Sequence, residues 1–178
     1  MGLDLITLEV LRHKFDVIAD EMEIALLKSA YSSIVKEGMD ASSALFTTGG
    51  ETIAQAASIP IHLGSLVPAV QRILQEFPAH TMAEGDVYIM NDPYDGGSHL
   101  PDIVIVVPIR HQGRTVALST TMSHNQDVGG RRPAACRLTR PRSSRKGYAC
   151  HRSNFMSVGC RTTRCMPFCR RTSASRTL

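Results

Sequence analysis

Two imidazoles and two carboxylates fall within one short stretch, in His99-Leu100-Pro101-Asp102 and Ser123-His124-Asn125-Gln126-Asp127. Two His and one carboxylate form a common first shell for a divalent metal, with positions left open for water or substrate. Imidazole and carboxylate without thiolate suit Mn, Fe or Zn, and the sequence does not choose among them. Asp127 is a candidate for orienting His124, and so for a catalytic supporting role. The plainer reading is that histidines at strand ends are surface polar groups and that His-x-x-Asp arises by accident.

The elements around these residues decide whether they can meet. Ile103–Ile109 is a nearly continuous apolar run, as in a strand buried on both faces. Thr115–Met122 reads as its return strand and Asp86–Met90 as a further one, with His111-Gln112-Gly113-Arg114 as the turn. A turn centred near Gln112 puts His124 opposite position 100, beside His99, with Asp102 one or two residues away. The hairpin thereby gathers residues that lie far apart in the chain. A loop dense in turn residues, Asn91 to Gly97, precedes them, and long loops at strand ends are where sites are often built. Gly96-Gly97 supplies either a sharp turn or room for a ligand, but lacks the spacing of a phosphate-binding loop.

Upstream, residues 5–30 read as an amphipathic helix capped by Asp4 or Thr7. Its apolar face is Leu11, Phe15, Ile18, Met22, Ala25 and Ser29, and Asp16, Asp20, Glu21 and Glu23 suit the solvated side. Residues 41–56 read as a hairpin turning at Thr47-Thr48-Gly49-Gly50-Glu51. Residues 65–77 read as a second helix with Ser65 as cap and Pro68 in its first turn. His62 stands just before it, with helix-cap, packing and site roles all open. His13 and His80 have solvated contexts, and His111 is a turn residue. The expected fold is α+β: an N-terminal helix, a short hairpin, a second helix, then a mixed or antiparallel sheet.

Composition divides the chain. Residues 1–130 carry 7 Lys+Arg against all 16 Asp+Glu, a net −9, whereas residues 131–178 carry 13 Lys+Arg and no acid. All five cysteines lie in that second part. The expected division is therefore a domain portion over 1–130 and a basic, disordered or poorly packed tail over 131–178 with no domain of its own. A nucleic-acid role would concern the tail alone, and none is expected to be physiological. The cysteines form no Cys-x-x-Cys pair, against a zinc module, and their odd number argues against a disulfide framework. No Gly-x-Ser-x-Gly elbow is present and no Cys precedes residue 131, so a Ser or Cys nucleophile is poorly supported. No apolar run reaches membrane-spanning length and the N-terminus lacks a signal-peptide pattern, so a cytoplasmic location without membrane partners is expected.

The segments ITLEVLRHKF, SAYSSIVKEGMDASSALFTTGGETIAQAASIPIHLGSL, GDVYIMNDPYDGGSHLPD and SHNQDVGG resemble the hydantoinase B family. That family includes N-methylhydantoinase B subunits, the acetone carboxylase alpha subunit and the C-terminal half of 5-oxoprolinase. The resemblance runs from about residue 5 to 130. It implies a hydantoinase A-like partner subunit that uses ATP to phosphorylate a small cyclic amide or ketone substrate. The B-type subunit would then carry the intermediate onward, by ring-opening hydrolysis or by carboxylation. It further implies that His99, Asp102 and His124 correspond to the metal-holding trio of the carboxylase relatives, Mn in acetone carboxylase. Such a metal acts as a Lewis acid on a carbonyl or phosphoryl oxygen, or lowers the pKa of a bound water.

After Gly130 the resemblance is expected to stop. Skipping two bases of a permitted codon set for residues 131–155 yields EAGSVPTDATEIFQEGLRMPPLKF, which resembles what the family carries after DVGG. The tail therefore reads as a frameshifted segment, and the chain as an inactive N-terminal fragment of a longer subunit. Loss of the downstream chain would leave the apolar strand 103–109 and its neighbours uncovered, with low solubility as the consequence.

Overall fold

The computed structural model describes residues 4–94, 96–125, 148–150, 153–156 and 169–171. In chain order it contains α1 (Leu5–Ser29), α2 (Ser33–Lys36), β1 (Ala41–Phe46), β2 (Thr52–Gln55), α3 (Pro60–Glu76) and a 3-10 turn at Ala79–Thr81. β3 (Val87–Met90), β4 (Asp102–His111) and β5 (Arg114–His124) follow, then three short strands, β6 (Tyr148–Cys150), β7 (Ser153–Met156) and β8 (Cys169–Arg171). The main sheet has the order β2-β1-β5-β4-β3-β7, and every pairing in it is antiparallel. β6 and β8 pair separately. These three strands arise where no element was expected, and the rest of the basic tail lies outside the described residues. The fold is the anticipated α+β class, with the sheet wholly antiparallel. Among the described residues no helix is long and apolar enough to cross a membrane.

Side chains alternate between the two faces of a strand, so residue parity tells which helix each face meets. Ala44 and Phe46 of β1 cluster with Leu66, Ala69, Val70 and Ile73 of α3, together with Val104, Val106, Leu118 and Met122. Ala54, which pairs with Leu45, clusters instead with Ala19 of α1. The two helices thus cover opposite faces, and β1 is buried along its whole length. β4 was expected to be buried on both faces but is not. Its even positions, Val104 and Val106, are fully buried against α3, whereas Ile103, Ile105 and Val107 are only partly covered.

α1 begins where Asp4 accepts from the Thr7 backbone N–H at 2.9 Å and from its hydroxyl at 2.7 Å. Its buried stripe differs from the expected one. Ala19 is fully buried while Phe15 and Ile18 are exposed. One of the four acids assigned to solvent turns inward: Glu23 is buried and accepts from the Ser58 hydroxyl, whereas Asp20 stays exposed and accepts from the Ala57 N–H at 3.2 Å. The small Ala19 side chain lets α1 approach Ala54 and Ala56 closely, and the acids satisfy the loop leaving β2.

α3 starts five residues earlier than anticipated. Pro60 occupies its first turn, where a missing N–H costs nothing, and Pro68 lies in the interior. Ser65 is no cap, since its hydroxyl donates back to the carbonyl of Ile61 at 2.8 Å. Two prolines compete for the role of helix start, and the periodicity reading took the wrong one. The consequence is functional, because the extra turn carries His62.

The β4–β5 connection is a two-residue turn, with Gln112 at φ 47 and Gly113 at φ 77. Both central residues have positive φ, as in the hairpin turns that match strand twist. The turn already pairs His111 with Arg114, one residue off the expected register, and an irregularity at Ile109/Arg110 adds one more, so that His124 pairs with Asp102 rather than with position 100.

Candidate metal centre

β4 opens on Asp102 and β5 closes on His124, and the ladder sets them directly opposite. Both share the parity of Val104 and Met122, so their side chains point to the face that α3 covers. His99 reaches the same place through a tight turn, in which the Asp102 N–H donates to the His99 carbonyl at 3.0 Å. The loop before it closes on glycines. Gly96 has φ +100, and a Cβ there would stand 3.0 Å from the Pro68 carbonyl oxygen, while one on Gly97 would stand 2.7 Å from that of Asp92. These glycines serve the sharp turn. Asn91 ties the loop down by donating to the Leu100 carbonyl at 2.6 Å.

The geometry is tight. His99 Nε2 lies 2.8 Å and His124 Nδ1 2.9 Å from Asp102 Oδ1, and the two nitrogens are 3.1 Å apart. The rings tilt by 46° with centroids 4.9 Å apart. Asp102 and His124 are buried, and the His99 side chain is 43% exposed. Asp102 Oδ2 accepts from the Ser98 hydroxyl. Burial pushes the Asp102 carboxyl upward, but hydrogen bonds from His99 and Ser98, the attraction of His99 and the bond from His124 outweigh it and hold it at about 2.

Donor chemistry and spacing both fit a cation. Nitrogen and oxygen ligands about 2.0–2.2 Å from one ion, at right angles, stand roughly 3 Å from each other. Three such atoms, one from each of His99, Asp102 and His124, lie close enough to share one.

Two further residues join the cluster. Asp40 immediately precedes β1, the other neighbour of β5, and its carbonyl accepts from the His124 N–H at 3.0 Å. Its Oδ2 lies 3.8 Å from His124 Nδ1. His62, on the first turns of α3, is buried, with Nε2 3.3 Å from Asp40 Oδ1 and 3.7 Å from Asp102 Oδ2. Its Nδ1 is 3.2 Å from the Ser42 hydroxyl. The sequence reading left His62 undecided and did not single out Asp40. The parity of Asp40 with Ser42, Ala44 and Phe46 was the available signal, once β1 was known to lie beside β5. Asp127 lies outside the described residues.

An antiparallel sheet with one helix on each face gathers three imidazoles and two carboxylates at one strand end, three donors of which lie close enough to hold a metal ion. The chain belongs to the hydantoinase B/oxoprolinase family, whose model matches residues 4–177. That match continues past Gly130, where the resemblance was expected to stop. The chain is 38% identical over 133 residues to a 5-oxoprolinase of Dictyostelium discoideum, covering 75% of this chain and 10% of that protein. It is 39% identical over 132 residues to the caprolactamase subunit beta of Pseudomonas jessenii, covering 74% of this chain and 22% of that protein. The crystal structure of the ATP-dependent caprolactamase from P. jessenii superposes with a TM-score of 0.71 at 30% identity, over 89% of this chain and 27% of that one. A nucleotide-free acetone carboxylase shares the fold, with a TM-score of 0.61 at 22% identity over 71% of this chain and 17% of that one. The chain thus spans between a tenth and about a quarter of the length of these relatives.

Proposed function

We propose that His99, Asp102 and His124 hold a divalent cation, Mn, Fe or Zn, within the N-terminal part of a B-type subunit of an ATP-dependent amidohydrolase. The observation that carries this is the convergence of three donor atoms within 3.1 Å of one another. When bound, the ion supplies Lewis acidity toward a carbonyl or phosphoryl oxygen. The protein's part is to orient and enclose. Ser98 anchors the far oxygen of Asp102, the strand ladder fixes His124, and the partly exposed His99 leaves one side open to a substrate. Asp127, three residues beyond His124, is proposed to steady that ring.

The substrate class is a cyclic amide activated by phosphorylation, with ATP spent by a hydantoinase A-like partner subunit in the cytoplasm. Support comes from relatives named 5-oxoprolinase and caprolactamase subunit beta. A ketone-carboxylating role is the second reading, and the similarity to acetone carboxylase supports it through the fold alone. In this reading residues 1–130 are the domain portion that carries the site, and 131–178 are an out-of-frame segment that leaves the chain inactive, although the family match extends across it. The break in charge and cysteine content at that point, and the family-like peptide in the shifted frame, support this.

The test is to restore the reading frame after Gly130, co-express the product with an A-like ATPase subunit, and supply 5-oxoproline, caprolactam and hydantoin, and separately acetone with bicarbonate, each with ATP. ATP-dependent ring opening of at least one, abolished in Asp102→Asn, is expected. Carboxylation of a ketone without any ring opening would favour the second reading. Neither activity would count against both.

A further inference from the structure

The buried imidazole of His62 has no part in the trio, yet every polar group it faces belongs to the cluster or supports it. Buried polar atoms are normally satisfied, so each ring nitrogen needs a reason. Nδ1 faces the Ser42 hydroxyl at 3.2 Å. That hydroxyl also lies 2.8 Å from the Ala41 carbonyl, so its single proton serves one acceptor or the other. Nε2 faces only carboxylate oxygens, which accept and never donate, so this nitrogen carries a hydrogen. A histidine kept for packing alone would need neither arrangement.

The two carboxylates are divided in the same way. Asp40 turns Oδ1 to His62, at 3.3 Å, and Oδ2 to His124, at 3.8 Å. Asp102 turns Oδ2 toward His62, at 3.7 Å, and Oδ1 to His99 and His124, at 2.8 and 2.9 Å. Topology makes this possible. Asp40 and Asp102 border the strands on either side of β5, and α3 lowers His62 between them from above the sheet.

We propose that His62 is a positioning residue for the cation site: its Nε2–H holds Asp40 Oδ1 and faces Asp102 Oδ2 at longer range, leaving Asp40 Oδ2 turned toward His124 and Asp102 Oδ1 toward His99 and His124. The inference rests on the cation reading given above. His62 touches neither ion nor substrate. It sets which carboxylate oxygens are presented, and Ser42 sets the rotation of its ring.

The test uses the full 178-residue chain titrated with Mn(II), following affinity and stoichiometry by calorimetry and the Mn(II) EPR line shape. Circular dichroism checks folding. His62→Leu removes the donor, His62→Gln keeps one, Ser42→Ala releases the ring, and His99→Ala removes a ligand. Loss of outer partners of metal ligands lowers affinity about 10–100-fold. His62→Leu is expected to bind one ion per chain with a loss in that range and an altered line shape. His62→Gln should recover most of the loss, and Ser42→Ala should weaken binding in the same direction. Wild-type affinity and line shape in His62→Leu overturn the proposal. Abolished binding in a folded His62→Leu, as expected for His99→Ala, makes His62 a ligand and overturns it too. If His62→Leu does not fold, Ser42→Ala and His62→Gln decide, and unchanged binding in Ser42→Ala overturns the proposal. A folded wild-type chain that takes up no Mn(II) defeats the cation reading and the role of His62 together, an outcome distinct from failure of His62 alone.

Discussion

At the scale of single residues, Asp102 is the pivot. It accepts from two imidazoles and a hydroxyl, and its carboxyl is held at about 2 against an ordinary 3.8. A depressed folded-state pKa stabilises the fold above the unfolded value, and that contribution is lost as pH falls from near 3.8 toward 2. The shift corresponds to about 2 kcal/mol in the metal-free protein. Asp102→Asn should therefore lower the thermal midpoint clearly at pH 6 and much less at pH 2, measured by circular dichroism with chelator present. An equal loss at both pH values would mean that the carboxylate charge is not what matters. The trio was legible in the sequence because its members flank one hairpin, and a hairpin fixes neighbours by counting. Asp40 and His62 were not, because they arrive from β1 and α3. No local spacing tells that β1 pairs with β5 or that α3 lies over that corner.

At the scale of elements, α3 both builds the core and delivers His62. Leu66 lies one turn beyond His62 and is fully buried. Leu66→Ala should cost ~2–5 kcal/mol of stability in a denaturant titration, as large-to-small changes in packed cores do. Mn(II) affinity should fall with it if the first turns of α3 shift. A cost below ~1 kcal/mol would show that the helix is held chiefly elsewhere. The kinds of element were readable from periodicity and turn chemistry, but their edges and faces were less so. Pro68 drew the helix start away from Pro60, because proline marks a first turn but also occurs, at a cost, within a helix. The hairpin register differs by two, one residue because the turn centres between Gln112 and Gly113 and one because the irregularity at Ile109/Arg110 leaves no mark in the hydrophobic pattern. The face of α1 was misjudged because apolar size was given more weight than close approach. Ala19 packs where Ile18 does not, and Glu23 turns inward because Ser58 is there to meet it.

At the scale of the whole molecule, two features stand out. Apolar surface is left partly open on β4, at Ile103, Ile105 and Val107, and on α1, where Ile6 is 79% and Val17 54% exposed. Relatives several times longer have ample chain to cover such surface. Charge is the second feature, with an acidic first 130 residues and a basic remainder. On heparin resin the chain should be retained and should elute with added salt, as phosphate-type contacts do. A version ending at Gly130 should pass through unretained. Equal retention of both would clear the basic segment of responsibility and reopen a nucleic-acid role for the folded part.

The central claim is that two imidazoles and a carboxylate at the β4–β5 strand ends hold one divalent ion. Elemental analysis of the purified full chain after Mn(II) loading and desalting, beside His99→Ala prepared identically, tests it most directly. About one ion per wild-type chain and close to none in a folded His99→Ala is expected. Equal metal content in the two proteins would contradict the claim.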